Sequence, residues 1–237
     1  MKSLSLVFAG LLLSLASFSQ KTIKDANAEL RKVKSFHAIS VSSGIELTLV
    51  QDNTESVAVS ANTTELRDHI KTVVENGELK ISFDNSIWKR NNGNRRLRAY
   101  VSVIKLDGLD VSSGASVKVE GQVKSPKLEI EVTSGGMFKG VVETGDLSVE
   151  QSSGSIVNIS GKTGRLEVEG SSGSVFNGYD LEAQSADADI SSGGQINLTV
   201  TKELSAEATS GGAISYKGKG VIRNIKTGSG GGVSRKS

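Results

Sequence analysis

The stretch Leu166-Glu167-Val168-Glu169-Gly170-Ser171-Ser172-Gly173 decides the fold. Apolar and acidic residues alternate, and then small hydroxyl residues and a glycine end the run. Period-two alternation bounded by Ser and Gly marks a half-buried strand that stops at a turn. The turn signal recurs as Ser112-Ser113-Gly114, Thr133-Ser134-Gly135, Ser152-Ser153-Gly154, Ser191-Ser192-Gly193 and Thr209-Ser210-Gly211. A worn copy stands at Gly228-Ser229-Gly230 and an early one at Ser42-Ser43-Gly44. From Gly114 onward the turn glycines are 21, 19, 19, 20, 18 and 19 residues apart. A fixed turn repeated near twenty residues is how a solenoid announces itself in sequence.

The flanks repeat with the turn. Five residues before the glycine stand Leu109, Ile130, Val149, Val168, Ala188 and Ala206, and three after it Val117, Phe138, Val157, Phe176, Ile196 and Ile214. Leu128, Leu147, Leu166 and Leu204 lie seven before. Such residues stack from coil to coil about 4.8 Å apart. The expected fold is all-β: a right-handed parallel β-helix, or β-solenoid, of about twenty-residue coils with Ser-Ser-Gly turns. Regular repeats are expected over 106–233 and looser, irregular coils over 36–105. Asn76-Gly77 is the strongest hairpin signal, and Thr63 caps an expected helical turn through Asp68.

Residues 1–20 read as a signal peptide: Lys2, an apolar run from Leu4 to Leu15, and small residues toward Gln20. The run is shorter than a membrane span requires. Residues 21–35 form a polar lead-in, extended or briefly helical. An exported protein is expected, whether periplasmic, outer-membrane-associated or secreted. The absence of cysteine removes disulfides and lipidation through an N-terminal cysteine. Without Lys2 there are 27 basic and 26 acidic residues, so no bulk attraction to nucleic acid is expected. Only His37 and His69 are present, which speaks against a His/Cys metal site; no cofactor is expected.

Phe36-His37-Ala38-Ile39-Ser40-Val41-Ser42-Ser43-Gly44-Ile45-Glu46-Leu47-Thr48-Leu49-Val50-Gln51 resembles the opening of the auto-transporter adhesin head GIN domain family. Leu106-Asp107-Gly108-Leu109-Asp110-Val111-Ser112-Ser113-Gly114-Ala115 resembles that family's entry into its repeats. The similarity runs from Phe36 to the C-terminus. It implies an exported protein of stacked β-coils, of a kind typical of Bacteroidetes, and it brings no catalytic residues. The stretch after the repeats is not expected to form a translocator barrel, so self-secretion is not among the expectations.

Three features could carry function. Asp110, Glu131, Glu150, Glu169, Asp189 and Glu207 each stand four residues before a turn glycine, and Lys226 takes that place in the last copy. They form an outward column, either a solvated face or a contact for calcium or a basic partner. Asn158, Asn177 and Asn197, four residues after a glycine, suit an amide ladder between coils. Trp88, the one tryptophan, lies among Lys89, Arg90, Arg95, Arg96 and Arg98, a loop suited to anionic envelope polysaccharide or lipopolysaccharide. A non-enzymatic binding or adhesion module is the leading expectation. The alternatives are a carbohydrate-active β-helix enzyme, for which Asp187 and Asp189 are the thin candidates, and a purely structural envelope protein.

Overall fold

A computed structural model describes residues 25–84, 86 and 95–236. The signal-peptide expectation therefore lies outside the described residues. The strands are β1 Glu29–Arg31, β2 Ala38–Val41, β3 Glu46–Gln51, β4 Ser56–Ser60, β5 Ile70–Glu75, β6 Glu78–Phe83, β7 Arg98–Val103, β8 Gly108–Val111 and β9 Ser116–Val119. Then come β10 Val123–Val132, β11 Met137–Gln151, β12 Ile156–Gly170, β13 Val175–Ile190, β14 Gln195–Ala208, β15 Ala213–Lys217, β16 Val221–Thr227 and β17 Gly232–Arg235. One short helix, α1 Thr64–Asp68, starts at Thr63, whose hydroxyl accepts the Leu66 N–H at 3.2 Å.

From β8 onward every pairing is parallel. The chain forms the solenoid that the repeat predicts. Each coil lays strand residues before its turn and again after it, and both sets pair in register with the next coil. The turns align in one column. Gly44 donates its N–H to the Ser113 carbonyl, Gly114 to Ser134, Gly135 to Ser153, and so on through Gly211 to Ser229, all at 3.0–3.1 Å. In each turn the middle serine also has a positive φ: 53° at Ser113 before 72° at Gly114, and 55° at Ser153 before 71° at Gly154. With Ala115 N–H donating to Ser112 at 3.0 Å, this is a type I′ turn, whose twist suits flanking strands.

Strand parity sets the core. Leu109, Ile130, Val149, Val168, Ala188 and Ala206 are buried, while the acid after each points outward. On the other sheet the Phe138 and Phe176 rings occupy space that the next inward residue would fill. A Cβ on Gly140 would come within 2.9 Å of the Phe138 ring, and one on Gly178 within 2.3 Å of Phe176. Glycine at these two positions makes room for the rings.

The region 36–105 is more ordered than loose coils. β2 and β3 make a full coil whose Ser42-Ser43-Gly44 turn joins the column. β6 and β7 add a further parallel rung beside β2 and β3. Beyond that rung the direction reverses: β5 is antiparallel to β6, β4 to β7, and β1 to β4. The reversal begins at Asn76-Gly77, with φ of 51° and 80°. Within the described part of the lead-in only Glu29–Arg31 is a strand, and Asp25 accepts from Tyr100 at 2.9 Å and Arg98 at 3.2 Å. Burial pushes the Asp25 carboxyl up, but Tyr100, Ser60, the Asn27 N–H and Arg98 together hold it below its ordinary value.

The far end has no such cover. Among the described residues, β16 pairs only with β14 and β17 only with β15. Gly228-Ser229-Gly230, the worn copy, nevertheless closes a complete turn, with positive φ at Ser229 and Gly230.

Candidate functional site

The most regular surface is the sheet before the turns. Register places Asp110, Glu131, Glu150, Glu169, Asp189 and Glu207 beside one another in that order, with Ser40 and Lys80 continuing the row at one end and Lys226 at the other. Two residues after each acid comes the first hydroxyl of the turn, which strand alternation puts on the same side. Glu131, Glu150, Glu169, Asp189 and Glu207 thus share a shallow groove with Thr133, Ser152, Ser171, Ser191 and Thr209. The hydroxyl row was not singled out from sequence. Its two-residue offset from the acids is the signal that could have found it.

The carboxylates are crowded. Partial burial pushes the Glu131 carboxyl above its ordinary value, with Asp110 and Glu150 adding to the rise. Asp189 is pushed up likewise by burial, then by Asp187 and Glu207. At the far bend, by contrast, charges alternate between coils. The register at the far bend reads Lys124, Glu143, Lys162, Glu182, and Lys124 pairs with Glu143 at 2.8 Å. In the acidic row Lys226 reaches Glu207 at 3.4 Å. Among the described residues no cation pairs with Glu131, Glu150, Glu169 or Asp189 within 4.0 Å. A flat sheet holds carboxylates side by side, and no three metal-ligating side chains of the described residues converge on one point.

The amide row is connected. Asn177 donates to Asn158 at 3.0 Å, Asn197 to Asn177 at 3.1 Å, and Gln195 to Asn197 at 3.2 Å. Its amides bond to one another along the axis, a structural arrangement.

Of the basic loop, Trp88, Lys89 and Arg90 lie outside the described residues. The strands that flank this stretch, β6 and β7, pair with β2 and β3, which lie on either side of the Ser42-Ser43-Gly44 turn. Arg98 pairs with Asp25 at 3.2 Å and with Glu46 at 3.7 Å. The Arg95 guanidinium lies 5.5 Å from the Phe83 ring centroid, and Arg96 is exposed. His37 Nδ1 and Asp107 Oδ1 are 2.7 Å apart, and the His37 backbone N–H donates to the Gly77 carbonyl at 2.8 Å, so His37 joins the Asn76-Gly77 hairpin to the first coils. Asp187 and Asp189 share one outward face, as their spacing implies, within the acidic surface.

Comparison with known proteins places this architecture. Residues 35–220 match the family model described as "Putative auto-transporter adhesin, head GIN domain". No curated protein matches the chain. A solved structure from Bacteroides fragilis NCTC 9343, called a putative adhesin, is similar at a TM-score of 0.82 and 18% identity, over 88% of this chain and 96% of that one. A putative adhesin from Parabacteroides merdae ATCC 43184 gives 0.70 at 17% identity, over 89% and 95%. A putative lipid binding protein from Parabacteroides distasonis ATCC 8503 gives 0.67 at 21% identity, over 90% and 98%. At such identities the likeness is one of fold.

Proposed function

The chain belongs to the auto-transporter adhesin head GIN domain family, and from that premise we propose that it is an exported, non-enzymatic binding module of the cell envelope or its surroundings. Its contact surface is the groove of carboxylates and turn hydroxyls. The observation that carries this reading is the run Glu131, Glu150, Glu169 and Asp189, left without cations among the described residues in a fold that pairs charges between coils elsewhere. Like charges one strand spacing apart repel, at a bit under ~1 kcal/mol per pair in water. A partner with regularly spaced cationic groups relieves that repulsion along the whole row. The names of the similar structures, adhesins and a lipid binding protein, agree with a binding role.

The test is binding of the full chain to polylysine, to a neutral glucan and to polygalacturonate, with the variant Glu131→Gln/Glu150→Gln/Glu169→Gln/Asp189→Asn alongside. The reading expects salt-sensitive binding to the polycation that the variant loses. Binding to polygalacturonate alone, abolished by Arg90→Ser/Arg95→Ser/Arg96→Ser, would move the contact to the loop around Trp88.

A further inference from the structure

Among the described residues, no antiparallel strand crosses the C-terminal end of the solenoid. Strand β16 exposes all seven of its residues, including Val221 at 67%, Ile222 at 44% and Ile225 at 40%. Ile222 and Ile225 continue the inner columns, beside the buried Leu204 and Ala206, while Val221 lies beside Glu203 on the alternate face. The core therefore ends in an apolar patch, where the opposite end is crossed by antiparallel β1, β4 and β5.

Charge at this end has one sign. From residue 208 to residue 237 the chain carries Lys217, Lys219, Arg223, Lys226, Arg235 and Lys236 and no aspartate or glutamate. Arg223 and Lys226 neutralise Glu203 and Glu207 of the preceding coil. Lys217 and Lys236 instead converge on Tyr179, their Nζ atoms 4.6 and 5.2 Å from its ring centroid. Arg235 is drawn into the same corner by a 2.7 Å hydrogen bond to the Gly218 carbonyl. Lys226 also closes the acidic row, so the carboxylates stop short of the tip.

We propose that this end docks on an anionic lipid surface. Cations around an exposed apolar patch match a negatively charged headgroup layer above acyl chains, and each basic residue near such a surface contributes about 1 kcal/mol. A second copy fits less well, since pairing two such ends would set like charges against each other. A soluble polyanion offers nothing to cover Val221, Ile222 and Ile225. The free backbone groups of β16 and β17 keep the contact at headgroup depth, where water and phosphates can satisfy them, because an open sheet edge cannot enter hydrocarbon. These residues are distinct from the acidic groove, so either inference can fail alone.

The experiment is co-flotation of the full chain with vesicles of phosphatidylglycerol and phosphatidylcholine, against phosphatidylcholine alone. Binding to the anionic vesicles is expected. It should fall about a hundredfold or more in Lys217→Ser/Lys219→Ser/Arg235→Ser/Lys236→Ser. It should fall about tenfold in Ile222→Ser/Ile225→Ser, with the more exposed Val221→Ser as a second variant should that pair fail to fold. Three outcomes overturn the proposal: no binding to anionic vesicles, equal binding by wild type and charge variant, or binding to soluble polygalacturonate that competes with vesicles while the apolar variants bind normally. Concentration-dependent dimerisation lost on Ile225→Ser would assign the end to a second copy instead.

Discussion

The backbone N–H of Gly154 donates to the carbonyl oxygen of Ser172 at 3.1 Å, one coil further along. That serine is the middle residue of the next turn and, like Ser153, it holds a positive φ. The column of turns is thus a hydrogen-bonded ladder of residues in left-handed backbone conformations, and only half of them are glycine.

This sets opposite expectations for two neighbours. A Cβ on Gly154 meets nothing within 4 Å, so Gly154→Ala costs only the backbone strain at φ +71°, about 1–2 kcal/mol. Ser153→Asn should raise the melting temperature, because asparagine tolerates that conformation better in a type I′ turn. Thermal melts of both variants check this; stabilisation by Gly154→Ala would contradict the turn assignment.

The inward and outward faces give a sharper contrast. Val168 is 1% exposed and Glu169 faces solvent. Val168→Asp should unfold the domain, since burying an unpaired carboxylate costs several kcal/mol, roughly the stability of a domain. Glu169→Ala should be neutral or slightly stabilising. Chemical denaturation followed by circular dichroism separates the two.

The repeat was legible in sequence because one turn and one strand parity recur: glycine spacing located the turns, and alternation told Val168 from Glu169. The cap was less legible. β5 and β6 read as a hairpin from Asn76-Gly77, but which coil strand each edge would meet depends on pairings far along the chain, such as Ala38 with Glu78. The groove was half visible, since the acids stood out by charge while Ser152 and Ser171 were read only as turn residues. Ion pairing could not be read at all. Arg98 looked like a free cation, but folding brings it to Asp25, which lies 73 residues earlier.

Acidity should act on the row in a definite direction. Glu131 and Asp189 have carboxyls raised above their ordinary values, so the folded state takes up protons before the unfolded chain does. Their ionised forms destabilise the fold at neutral pH, and this is relieved as pH falls through their raised values toward the ordinary carboxylate range near ~4. Asp25 and Glu143 are lowered and act the other way, so their stabilisation is lost only at still lower pH. Glu131→Gln/Asp189→Asn should therefore be more stable than wild type at pH 7, by under about 1 kcal/mol, and the advantage should shrink on acidification. Melting curves across pH test this; an advantage that grows on acidification would contradict it.

The amide row predicts a modest structural cost. Asn177→Ala leaves the Asn197 amide N–H and the Asn158 oxygen without their bonds to residue 177. A loss of about 1 kcal/mol is expected, with polycation binding unchanged. Loss of binding at full stability would give this row a ligand role.

The central claim is binding without turnover, and incubation of the full chain with cationic chitosan beside neutral and anionic polysaccharides tests it most directly, with retained polymer and newly formed chain ends measured in the same samples. The account predicts saturable retention of the cationic polymer with no chain ends accumulating over time. Chain ends that increase in proportion to protein concentration and time, and disappear in Asp187→Asn/Asp189→Asn, would contradict it and make the acidic face a catalytic one.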